Sequence, residues 1–192
     1  MKLNLAILLI AFACATSAAS AQTAVPYTWE VGAGYNFVHS NAPPTGCGCF
    51  SMNGGTASAL RQFTPRLGVE AEFSGIYNGN VNATGRSLTL LTYLAGPRYR
   101  LLQSDRRFDP YAQVLLGGSH ASGGLYGSSS SPSGTANAFA TSIGGGVDMK
   151  LTQHIGIRIV QVDYLLTLLS NGVNSRQNNV SVSTGFVIRF GK

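Results

Sequence analysis

The feature that most constrains this chain is a two-residue alternation that recurs along most of its length. From Trp29 the odd positions read Trp29, Val31, Ala33, Tyr35 and Phe37, against Glu30, Gly32, Gly34 and Asn36. Leu67, Val69, Ala71 and Phe73 alternate with Gly68, Glu70, Glu72 and Ser74. Phe139 to Leu151 repeats the pattern, and Val180, Val182, Thr184, Phe186, Ile188 and Phe190 close the chain with Ser181, Ser183, Gly185, Val187 and Arg189 between them. Successive side chains of a strand point to opposite faces, so each segment reads as a strand with one apolar face.

A soluble sheet alternates too, so the composition of the second face decides between the two settings. A water-facing sheet surface carries many charges, yet only 10% of this chain is charged, against roughly 25% in typical soluble domains. The second face is built from Gly, Ser and Ala with a few charges among them, as expected for the crowded interior of a narrow barrel. The apolar face then meets lipid. Eight strands are predicted, at about 28–38, 51–62, 66–77, 87–101, 108–120, 136–150, 155–169 and 178–190. Tight turns near 62–66, 103–107 and 151–154 alternate with longer Gly-, Ser-, Asn- and Pro-rich loops at 39–50, 78–86, 121–135 and 170–177. That rhythm predicts an eight-stranded antiparallel up-and-down transmembrane β-barrel, with short turns and both termini in the periplasm. Two strands fit less well. Segment 51–62 offers no clean lipid face, and 155–169 sets Arg158 and Asp163 on opposite parity. Either a β-bulge between them turns both inward, or Arg158 snorkels at the membrane edge.

The first 21 residues form a separate unit. Lys2 provides a positive start, Leu3 to Ala13 an apolar stretch, and Ala19-Ser20-Ala21 the small residues of a cleavage site. The apolar run is shorter than the about 20 residues of a helical span. The expected organisation is a cleaved signal peptide, 1–21, followed by one barrel domain, 22–192. Cys14 does not make a convincing lipoprotein cysteine, because Ala11 and Phe12 fit a lipobox poorly.

Glu30, Glu70, Glu72, Arg98, Arg100, Asp148, Lys150 and Arg189 fall on the inward parity, with Asp163 joining them if the bulge exists. In a narrow lumen such charges must pair, and a salt-bridge network is expected rather than a catalytic site or an ion path. Cys47 and Cys49, the cysteines of the mature chain, lie in the first long loop of an exported protein, where a small disulfide is favoured over free thiols or a soft-metal pair. His39-Ser40 sits at the top of the first strand without an acid beside it, and His120 and His154 read as polar loop or interface residues. Gly117-Gly118 and Gly144-Gly145-Gly146 lie in strands, where glycine admits bulky neighbours; neither stands at the strand-to-helix junction of a phosphate loop. The basic balance (+6) is scattered and gives no nucleic-acid patch.

Gly96-Pro97-Arg98-Tyr99, Pro110-Tyr111-Ala112-Gln113 and the ending Phe186-Val187-Ile188-Arg189-Phe190 resemble the small OmpA/OmpX-like outer-membrane β-barrel proteins. The resemblance spans residues 22–192. It implies insertion into the bacterial outer membrane by the barrel-assembly machinery, which reads outward residues near the C-terminus, here Phe186, Ile188 and Phe190. Gly191 and Lys192 follow that signal, whereas many members end on the aromatic. The expected function is that of an integral, non-enzymatic outer-membrane protein. It would sit in lipid and lipopolysaccharide, need no cofactor or metal, and carry loops for structural or interaction roles. Three alternatives remain at this stage: an outer-leaflet lipid-modifying enzyme using His39 or Ser40, a narrow pore, and a soluble lipocalin-like binder.

Overall fold

A computed structural model describes residues 29–42, 48–83, 85–102, 107–124, 134–170 and 175–191. Eight strands follow one another: β1 (Trp29–Ala42), β2 (Gly48–Gln62), β3 (Leu67–Asn78), β4 (Leu88–Arg100), β5 (Phe108–Gly123), β6 (Gly134–Lys150), β7 (Ile155–Thr167) and β8 (Gln177–Phe190). Each pairs antiparallel with its sequence neighbours, and β8 returns to β1 to close the barrel. The closing seam runs from Trp29 opposite Phe190 to Ser40 opposite Asn179. Closure leaves no open sheet edge, so the strand backbones satisfy one another without water.

The strand alternation sorts into an outer and an inner surface as the sequence predicts. Val31, Phe73, Leu116, Ile143, Val162 and Ile188 lie exposed on the outside. Trp29, Phe63, Tyr99, Phe108 and Phe190 ring the short-turn end, and Tyr35, Phe37, Tyr77, Tyr93, Phe139 and Tyr164 ring the outside towards the long loops. Two such aromatic girdles bracket the apolar band of a membrane barrel. β2 is the exception: its outward residues are Asn53, Gly55, Ala57, Ala59 and Arg61. No helix among the described residues is long and apolar enough to cross a membrane.

Two irregularities disturb the ladder. The β6–β7 register shifts between Val147 and Asp148, and the β7–β8 register between Arg158 and Gln161. Ile159 and Val160 consequently both face outward, and Arg158 and Asp163 are both buried inside. Of the two readings of this strand, the bulge is the one adopted; Arg158 does not snorkel.

β1, β2, β5 and β6 reach beyond their expected outer limits, and the first and third long connections are correspondingly shorter. The reason is a reversal of polarity. Past the outer aromatic girdle the outward residues become polar (His39, Asn137, Thr135) and the inward ones apolar (Val38, Phe50, Met52, Leu90). There the barrel is arranged like a water-soluble one, and the alternation continues with its sign inverted.

Candidate functional site

The lumen is the candidate site, and it is layered along its axis. At the short-turn end, Glu30 of β1 is paired with Arg100 of β4, and Arg189 Nε lies 3.5 Å from the other Glu30 oxygen. Arg100 Nε lies 3.1 Å from Asp109 Oδ2 of β5. Gln62 is buried at this end, and Lys150 is half-buried at its rim.

One layer higher, Arg98 reaches across the barrel. Its Nη1 is 3.2 Å from Glu70 Oε2 on β3 and its Nη2 is 2.7 Å from Asp148 Oδ2 on β6. Its guanidinium carbon stacks 3.3 Å from the centroid of the Tyr111 ring. Arg158 shares both acids, with Nε 3.0 Å from Asp148 Oδ1 and Nη2 3.7 Å from Glu70 Oε1. Two arginines and two carboxylates thus form one closed quartet, which satisfies buried charge that would be costly alone.

Gln161 joins this quartet to a second group. Its carbonyl accepts from Arg158 Nη1 and from the Tyr111 hydroxyl, each at 2.7 Å. Its amide donates to Glu72 Oε2 at 2.9 Å and to Asp163 Oδ2 at 2.6 Å, while Gln113 Nε2 donates to Asp163 Oδ1 at 3.2 Å. The glycine triplet of β6 makes room for this arrangement. A Cβ on Gly146 would fall 2.7 Å from the Tyr111 hydroxyl, and one on Gly144 would fall 2.4 Å from Asp163 Oδ1. Small residues on the facing wall, Gly32, Gly34, Ser58, Ser183 and Gly185, line a small cavity beside Arg158.

Above the charges the chemistry changes in two steps. Asn36 donates to Ser74 Oγ at 2.7 Å and accepts from Ser181 Oγ at 2.8 Å, a neutral polar seam. Leu94, Leu115, Ala140 and Leu165 form a first apolar cluster. Val38, Phe50, Met52, Ile76, Leu88, Leu90, Ala121 and Leu169 then fill the outer mouth. Val81 closes over them from the 3-10 turn Val81–Ala83 between β3 and β4, where Asn80 Oδ1 accepts from the Gly85 amide at 2.8 Å.

The sequence-predicted residues are placed as follows. Glu30, Glu70, Glu72, Arg98, Arg100, Asp148, Asp163 and Arg189 all face the lumen, although Glu72 meets an amide rather than an arginine. Asp109, Tyr111, Gln113 and Gln161 were missed. The first three share the inward parity of β5 with no break and were legible by phase alone; Gln161 lies beyond the bulge. Phe186, Ile188 and Phe190 lie on the outer wall, Phe186 being 64% exposed. Cys49 is exposed on β2. Cys47 lies outside the described residues, and with it the expected disulfide; so do the segment 1–21 and the expected cleavage site.

His39 and Ser40 do not form a pair. His39 faces outward, with Nδ1 3.1 Å from Ser51 Oγ, while Ser40 is buried inside the barrel. Adjacent residues of a strand project to opposite faces, so the wall itself separates them. His120 Nδ1 lies 2.7 Å from Asn137 Oδ1, and His154 is exposed in a short turn. Among the described residues no group of His, Cys, Asp and Glu is arranged to hold a metal ion.

Comparison with known proteins agrees with this architecture. Neisserial surface protein A superposes with a TM-score of 0.64 at 17% identity, covering 84% of this chain and 97% of that one. Ail, the attachment invasion locus protein of Yersinia pestis, gives 0.61 at 16% identity, covering 86% and 100%. The N-terminal β-barrel domain of OprF from Pseudomonas aeruginosa gives 0.52 at 13% identity, covering 85% and 97%. At these identities the likeness is one of fold. No curated protein sequence matches the chain. Residues 5–189, however, match the family described as the outer membrane protein beta-barrel domain, and the chain belongs to that family.

Proposed function

We propose that this bacterial outer-membrane protein is a non-enzymatic, non-conducting barrel that holds its long loops at the cell surface for structural or interaction roles. The observation that carries the reading is the double filling of the lumen. A salt-bridge quartet spans the inner part, and an apolar cluster capped by Val81 occupies the outer mouth. Ions do not cross an apolar constriction readily, because its lining cannot replace their hydration. The exposed apolar band and its girdles support a lipid environment rather than a lipocalin-like life in water. The placement of His39 and Ser40 on opposite faces of the wall supports the non-enzymatic reading.

Within this reading residues 1–21 are removed on export, Phe186, Ile188 and Phe190 are read by the barrel-assembly machinery, and lipopolysaccharide surrounds the outer girdle. The test is planar-bilayer recording of protein that migrates in its compact, heat-modifiable form. The expected result is no steady single-channel conductance. Reproducible openings from such material would overturn the closed-lumen reading, and altered lipid A masses in expressing cells would overturn the non-enzymatic one.

A further inference from the structure

Every carboxylate among the described residues faces the lumen: Glu30, Glu70, Glu72, Asp109, Asp148 and Asp163. The outer surface keeps arginines instead, and two of them lie in the aromatic girdle of the short-turn end. Arg61 of β2 stands opposite Trp29 of β1, with its guanidinium carbon 5.3 Å from the Trp29 ring centroid and 5.4 Å from that of Phe63. Arg66, in the turn between β2 and β3, donates from Nη1 to the Tyr99 hydroxyl at 3.4 Å. Aromatic girdles lie at headgroup depth. These contacts therefore hold two guanidinium groups where lipid phosphate lies, flanked by the small outward residues Ala57 and Ala59 of β2, which leave lateral room for a lipid.

We infer that Arg61 and Arg66, framed by Trp29, Phe63 and Tyr99, form a binding surface for the headgroup of an anionic phospholipid in the inner leaflet of the outer membrane. The inference rests on the outer-membrane reading, with short turns on the periplasmic side. A guanidinium presents several donors in a fixed fork and matches a phosphodiester geometrically, which a zwitterionic headgroup uses less well because its own ammonium competes.

Trp29 is the single tryptophan of the chain, so the site carries its own reporter. Folded barrel is placed in phosphatidylcholine vesicles doped either with brominated phosphatidylglycerol or with brominated phosphatidylcholine at equal fraction, and Trp29 quenching is compared. Stronger quenching by the phosphatidylglycerol is expected. The preference should fall by roughly fivefold for each arginine replaced in Arg61→Gln and Arg66→Gln. It should survive in Arg86→Gln/Arg176→Gln, whose arginines lie by the long loops. Rising sodium chloride should weaken the preference; sodium phosphate of matched ionic strength should weaken it no further, because the site takes a lipid rather than free phosphate. Equal quenching of the wild type by both lipids, or a preference unchanged in folded Arg61→Gln/Arg66→Gln, would overturn the inference. Should that double variant not fold, the wild-type comparison and Arg66→Gln alone decide it. Loss of insertion and of heat-modifiable migration in the wild type would instead count against the outer-membrane reading itself.

Discussion

The two halves of the lumen solve the same packing problem with opposite chemistry. Towards the short turns, long charged side chains reach across the barrel and satisfy one another, as Arg98 does between Glu70 and Asp148. Towards the long loops, aliphatic side chains meet as they do in a soluble core, with Val38, Met52 and Leu90 almost fully buried. The outer wall changes in the opposite sense, from apolar at membrane level to His39, Asn137 and Thr135 above it. The solvent outside each section explains the difference. Where lipid surrounds the wall, apolar residues are placed outside and polar ones must be satisfied within; where water surrounds it, the hydrophobic effect draws the apolar residues in.

The comparison is most easily broken in its charged half. Arg98→Ala leaves Glu70 and Asp148 sharing Arg158 alone, and should cost about 3–5 kcal/mol in detergent unfolding monitored by heat-modifiable migration. A cost below about 1 kcal/mol would show that water enters and solvates the acids. Leu90→Ala, in the apolar half, should cost about 2–3 kcal/mol by the same measurement, since a cavity remains at a mouth sealed by Val81. The seam between the halves depends on neutral hydrogen bonds. Asn36→Ala removes bonds to Ser74 and Ser181, whose hydroxyls can turn to other acceptors, and about 1 kcal/mol is expected. Smallest is the change on the outer girdle. Tyr164→Phe deletes only the hydrogen bond to Asn178 Oδ1, so a shift of about 0.5 kcal/mol sharpens the contrast between wall and lumen.

Legibility in the sequence followed the locality of each interaction. Strand number and the faces of β1, β3, β6 and β8 were readable because side-chain direction repeats every two residues. The inward phase of Glu30, Glu70, Arg98, Asp148 and Arg189 came with it. β2 was difficult because Gly55, Ala57 and Ala59 carry almost no hydropathy signal, and its place is fixed by pairing with β1 and β3. Arg158 posed a choice that period two alone could not make; the register shift before Gln161 makes it. His39 and Ser40 show the same rule in its simplest form. They are adjacent in the chain, and period two sets them on opposite sides of the wall.

The sequence by itself therefore determined an eight-stranded alternating barrel, its lipid-facing band and the inward charge set, all consequences of a local backbone repeat. Tertiary structure alone decided which groups meet, since Arg158 and Gln161 on β7 reach Glu70 and Glu72 on β3 only when the barrel brings those walls face to face across the lumen. It also decided where the alternation changes sign. Period two says which residues share a face, but whether that face meets lipid, water or the lumen depends on depth along the barrel, which no short stretch of sequence contains.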